Sequence, residues 1–161
     1  MKKQTTHRGR AHRSATLVLG LAAVLALGVP AWTDDYVMHG RISYDAGGTM
    51  VKGSGDADWS HAAVNTLILP GDTLWVDQEG TAELELAGGS YLRMADGSKA
   101  EVAALPPSAT VRGWHGAFYV QRLKRSTGNF IFETPACAVD VSADTAVRID
   151  VVDQGATTVT V

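Results

Sequence analysis

Between Asn129 and Val161 apolar side chains recur at every second position through consecutive short runs. Cys137, Val139 and Val141 alternate with Ala138 and Asp140, and Val147, Ile149 and Val151 alternate with Arg148 and Asp150. A period of two belongs to strands with one buried face, and it conflicts with the 3.6-residue repeat of a helix. No segment carries a convincing helical period, so the expected fold class is all-β.

From Asp72 to Ala103 the same alternation gives four strands with inward residues Leu74/Val76, Ala82/Leu84/Leu86, Leu92/Met94 and Ala100/Val102. Turn signals separate them at Gln78-Glu79-Gly80, Gly88-Gly89-Ser90 and Asp96-Gly97-Ser98. If inward residues pair with inward residues, three-residue loops satisfy all three corners, with Gly80 in a left-handed position. These registers place Trp75 opposite Glu83, Glu85 opposite Arg93, and Arg93 opposite Glu101, an exposed carboxylate–guanidinium–carboxylate ladder. Each such pair contributes about 0.2–1 kcal/mol, so the ladder sets register more than stability. In the tail, Ile149 pairs with Val159 and Val147 with Val161 around Asp153-Gln154-Gly155, and Asp140 faces Arg148. Tyr36–Tyr44 and Thr49–Lys52 read as a further hairpin. Pro106-Pro107 breaks the pairing, because proline gives no amide hydrogen to a ladder. A second strand group then starts near Val111. The expected architecture is antiparallel strand meanders packed as a sandwich or a short flattened β-solenoid, with Leu84, Leu92, Phe118, Phe132, Val139 and Ile149 in the core.

Residues 1–13 hold Lys2, Lys3, Arg8, Arg10 and Arg13 and no acid, and an uncharged apolar stretch runs from Ala15 to Val29. With small residues at Val29-Pro30-Ala31, this reads as a secretory signal peptide over 1–31, followed by one domain over 32–161. The alternative is an uncleaved signal anchor, although the stretch is shorter than the roughly 18–20 residues of a comfortable span. The expected location is therefore periplasmic or secreted, with membrane anchoring as the alternative.

Loss of residues 1–31 takes five of the 14 basic residues and none of the 17 acids, leaving nine against 17 and a net charge of −8. Such a surface repels phosphate backbones, which argues against nucleic-acid binding. Cys137 is the only cysteine, so no internal disulfide is available, and its phase with Val139 and Val141 predicts a buried thiol. His39, His61 and His115 lie too far apart in sequence for a metal-ligand pattern, and no serine sits in a nucleophile elbow. The expectation is neither enzyme, cofactor nor metal site. Acid pairs such as Glu83/Glu85 and Asp56/Asp58 read as a solvated face, and Arg122, Lys124 and Arg125 as the exposed tip of a hairpin between Tyr119 and Phe132.

Trp59-Ser60, Asn65, Pro70-Gly71-Asp72, the Leu86–Met94 run, Gly116–Val120 and above all Phe130–Val161, with its Thr134-Pro135 and Arg148-Ile149-Asp150-Val151, together resemble the FecR-like periplasmic domain family. The resemblance rests on core and turn residues across most of the exported chain. It implies a glycine near Asp144, where aspartate is among the residues best able to adopt a left-handed backbone. It also implies a glycine-containing segment after the last strand, so Val161 reads as a C-terminal truncation. Family members relay a signal from an outer-membrane receptor to an anti-sigma partner through a cytoplasmic segment, and residues 1–13 are too few to fold as one. The expected function is a non-enzymatic exported domain acting in cell-envelope protein interaction or signalling.

The alternative is a carbohydrate- or peptidoglycan-binding module. Trp75, Tyr91 and Tyr119 fall out of phase with the core, Trp59 and Trp114 lie at loop or strand-start positions, and Glu83, Glu85 and Arg93 share the outer face. Exposed aromatics beside acids suit sugar rings, whose C–H faces stack on the ring while their hydroxyls hydrogen-bond the carboxylates, unless a second sheet or a neighbouring domain covers them. Trp75, Tyr91, Glu83, Glu85 and Arg93 are the candidate binding residues.

Overall fold

The computed structural model describes residues 39–161, so the segment read as a signal peptide lies outside the described residues. The described chain is all-β. Its strands are β1 (Gly40–Ala46), β2 (Thr49–Lys52), β3 (Ser60–His61), β4 (Leu67–Ile68), β5 (Thr73–Val76), β6 (Thr81–Leu86), β7 (Ser90–Met94), β8 (Lys99–Ala104), β9 (Ser108–Arg122), β10 (Asn129–Glu133), β11 (Ala138–Asp140), β12 (Thr145–Val151) and β13 (Thr157–Thr160), with a 3-10 turn at Asp153–Gly155. Pairing is antiparallel except between β9 and β10, which run parallel from Asn129 opposite Ser108 to Glu133 opposite Arg112. No described helix is long and apolar enough to cross a membrane.

One curled sheet results, with β9 running through both of its halves. The first 8 residues of β9 pair with β8 and β10, in the order β3-β2-β5-β8-β9-β10-β11. Its last seven, Gly116–Arg122, pair with β12 on one side, and Arg122–Phe118 with β7 on the other, in the order β4-β1-β6-β7-β9-β12-β13. Around the junction of the two stretches Gly113 is buried, Trp114 and His115 are exposed, and Gly116 takes a φ of 110°. A Cβ on Gly113 would stand 2.5 Å from the Phe132 ring and 2.9 Å from that of Phe118, so only glycine lets the two phenylalanines close under the bend. Those rings, one from each half, pack tilted at 52° with centroids 4.9 Å apart, a geometry favoured by the aromatic quadrupole.

The inward set is as the alternation predicts: Leu74, Val76, Ala82, Leu84, Leu86, Leu92, Met94, Ala100, Val102, Phe118, Phe132 and Ile149 are all buried in one core cluster, and Val139 packs half-buried against it. The pairing partners differ. Only the β6–β7 hairpin of the expected meander exists, and Leu86 opposite Ser90 shifts its loop to Ala87-Gly88-Gly89. At Gln78–Gly80 and Asp96–Ser98 the chain crosses between halves, β5 pairing with β2 and β8, and β7 with β6 and β9. A crossing keeps inward residues inward just as a hairpin does, so alternation alone does not separate the two. For the same reason β1 and β2 form a corner, not a hairpin: β1 pairs with β4 and β6.

The predicted ladder is replaced accordingly. Arg93 stands opposite Glu83 and not between Glu85 and Glu101. Trp75 lies between Met50 and Lys99, not opposite Glu83. Asp140 pairs across to Ile131, and Arg148 bonds Asp150 two residues along its own strand. At the first corner the left-handed residue is Glu79, with φ 61°, and Gly80 serves close approach: a Cβ there would meet the Gly47 carbonyl oxygen at 2.7 Å. In the tail, Ile149 does face Val159, and Asp144 does adopt a left-handed φ of 61°. Two polarity readings reverse. Cys137 is exposed, because the Thr134-Pro135 turn lifts it before β11 begins. Arg122 is 5% exposed, because β10 returns parallel to β9 and the loop between them folds over its guanidinium.

Candidate functional site

The outer face of the half containing β6 and β7 is laid out in two cross-strand rows. In one, Arg41, Glu85, Tyr91 and Gln121 stand side by side, and in the other Tyr44, Glu83, Arg93, Tyr119 and Arg148. Each arginine is matched to an acid: Arg41 bonds Glu85, Arg93 Nε donates to Glu83 Oε2 at 2.6 Å, and Arg148 Nη2 to Asp150 Oδ1 at 2.7 Å. Partial burial pushes the Glu83 carboxyl up, but the Arg93 hydrogen bond and charge, with the Ser43 hydroxyl at 2.8 Å, outweigh it and hold the group below its ordinary value. Asp150 is lowered chiefly by its bond to Arg148. Tyr91 leans its hydroxyl toward Glu85 at 3.5 Å. Four of the five candidate residues therefore belong to a face whose charges are already neutralised in pairs.

Trp75 lies on the other half. There His61, Met50, Trp75, Lys99 and His115 stand opposite one another across β3, β2, β5, β8 and β9. Trp59, from the loop entering β3, completes a cleft of about 380 Å³ lined by Met50, Trp59, Trp75 and Lys99. Trp59 is 37% and Trp75 38% exposed. The Lys99 ammonium sits 6.0 Å from the Trp59 ring centroid, within cation–π range. One row further along, Glu101, Arg112 and Glu133 form a carboxylate–guanidinium–carboxylate ladder, with Arg112 donating at 3.1 Å to Glu101 and 2.8 Å to Glu133. The hydrogen bond that Arg112 donates to Glu133 and the charge of Glu101 raise the guanidinium above its ordinary value. Thus a ladder of the predicted kind exists, built from one of the predicted residues and two others.

Tyr91, Glu83, Glu85 and Arg93 are thus not brought together with Trp75. Met50 and Lys99, the residues that do join it, are out of phase with the core on their own strands, as Trp75 is. Their convergence depends on the β2–β5–β8 pairing, which leaves no local mark. His39, His61 and His115 are all exposed, and among the described residues no three His, Cys, Asp or Glu side chains gather as a metal-binding group. No protein-family model, curated protein or solved structure matches this chain.

Proposed function

We propose that the chain is a non-enzymatic, exported recognition module of the cell envelope, of FecR-like character, with its curled sheet closed as a sandwich, and that it works through the outer face carrying Trp59 and Trp75. The Trp59–Trp75 cleft supports this reading. Two indoles held more than a third exposed on a strand platform are an unusual use of large apolar area in a domain with a full core, and such patches mark contact surfaces. Protein interaction or signalling in the envelope is the first reading, because the residues resembling that family span both halves. A saccharide-binding role is the second, favoured by the partly exposed indole of Trp75 in a cleft shared with Trp59 and the Lys99 ammonium.

Retention on bacterial envelope fractions, with and without prior protease digestion, tests both. The wild-type chain is expected to be retained and Trp75→Ala to be retained several-fold less, without loss of stability. Protease-sensitive retention supports a protein partner, and protease-resistant retention a polysaccharide. No retention on either fraction refutes envelope recognition. Release of soluble sugars or peptides from these fractions by the purified protein refutes the non-enzymatic reading.

A further inference from the structure

Resting on the second of these readings, we infer that the Trp59–Trp75 cleft takes a sugar ring bearing an anionic substituent, with the ring stacked on Trp75 and the anion at Lys99. The observation behind this is a contrast between Lys99 in its cleft and the cations paired on the two halves of the sheet. Arg41, Arg93, Arg112 and Arg148 each hold a carboxylate. Lys52 is tied by its ammonium to the Ala57 carbonyl at 2.9 Å. Lys99 lines the cleft with Met50, Trp59 and Trp75 and stands opposite His115, its ammonium lies 6.0 Å from the Trp59 ring centroid, and no ion pair ties it to a carboxylate among the described residues.

Glu101 lies two residues along β8 from Lys99 and therefore on the same face. Arg112 holds it from the adjacent strand, shared with Glu133. An ammonium left without a carboxylate beside an open indole is complementary to a ligand that is apolar on one face and negative at one edge. A uronic-acid ring has that form: its C–H face covers an indole while its carboxylate projects from the rim. Trp75 and Lys99 are direct cross-strand partners, so their side chains are close enough to hold one monosaccharide between them. The overall acidity of the domain does not outweigh this contact, because charges more than about 8–10 Å away are largely screened at physiological salt.

Titration calorimetry with the full exported chain provides the test, using tetragalacturonate, its methyl ester and polyglutamate. The ester keeps the ring and removes the charge, and polyglutamate keeps the charge without the ring. Tetragalacturonate is expected to bind about tenfold tighter than the ester and tighter than polyglutamate. Lys99→Gln should abolish the preference for the acid and leave ester affinity unchanged, Lys99→Arg should retain the preference, and Trp75→Ala should weaken both sugars. Equal binding of acid and ester, a preference that survives in Lys99→Gln, or polyglutamate binding as tightly as tetragalacturonate overturns the inference. Trp75-dependent but charge-blind binding would still leave sugar recognition standing. Binding of neither sugar overturns the inference, and if protease-sensitive retention on envelope persists, the protein-partner reading survives it.

Discussion

Arg122 donates from Nη1 to the Val141 carbonyl at 2.7 Å, tying the end of β9 to the residue that follows β11 from within the fold. Its Nη2 reaches the carbonyls of Thr127 at 3.2 Å and Gly128 at 2.9 Å, and its Nε the Ser90 hydroxyl at 3.3 Å. A planar fork serves these spread acceptors, whereas an ammonium offers a single point of charge. Arg122→Met should therefore cost about 3 kcal/mol in urea unfolding followed by tryptophan fluorescence, because buried carbonyls lose their donors. Arg122→Lys should recover little of it. A loss below about 1 kcal/mol in the Met variant would mean that water replaces the guanidinium.

Leu84 and Arg93 give the opposing pair of expectations. Leu84 is 1% exposed, and its truncation to alanine should cost about 2–5 kcal/mol through the cavity left behind. The Arg93 side chain is 57% exposed, so Arg93→Ala should cost at most about 1 kcal/mol despite its short bond to Glu83. Chemical denaturation of both variants checks this, and equal losses would contradict the assigned faces.

Glu83 links the same ion pair to pH. Its carboxyl is lowered in the folded state from the ordinary 4.5, so the unfolded chain takes up the proton first as pH falls. The stabilisation is complete above the ordinary value and is lost as pH drops through the lowered one. Asp150, lowered by Arg148, acts in the same direction. Urea midpoints from pH 7 to 3 should fall more steeply for wild type than for Glu83→Gln. Parallel slopes would remove Glu83 from the acid response.

Cys137 should react with Ellman's reagent in the native state, to one equivalent and without denaturant, since its thiol is exposed beside the Thr134 hydroxyl at 3.6 Å. Labelling that appears only in urea would restore the buried placement that alternation suggests.

Asp144 holds a φ of 61°, a conformation that favours glycine. Asp144→Gly should raise stability by up to about 1 kcal/mol, measured by thermal or urea unfolding, because the left-handed cost at this corner exceeds the extra freedom glycine brings to the unfolded chain. A loss would show that the aspartate side chain stabilises the turn.

The inward face of nearly every strand was legible, because which side of a strand a residue faces is a local property with period two. Partner identity was not. Whether Thr73–Val76 lies beside Thr81–Leu86 or Lys99–Ala104 depends on contacts far apart in sequence, and the corner residues suit both outcomes. The same limit divided the candidate site: Trp75 was visible as an out-of-phase aromatic, while Lys99 and Met50 became its neighbours only through β8 and β2. Arg122 left no sign at all, since a buried arginine satisfied by carbonyls has the same sequence signature as one at a hairpin tip.

With 15 residues shared between both halves of the sheet, β9 leaves neither half able to melt alone. Loss of either half would strip hydrogen bonds from one stretch of that strand and expose Phe118 or Phe132 on the other side of the core. The domain should accordingly behave as one cooperative unit. Amides of Val111 and Val120, at opposite ends of the strand, should exchange with solvent deuterium only through global opening and with the same free energy, while those of the short outer strand β13 exchange sooner.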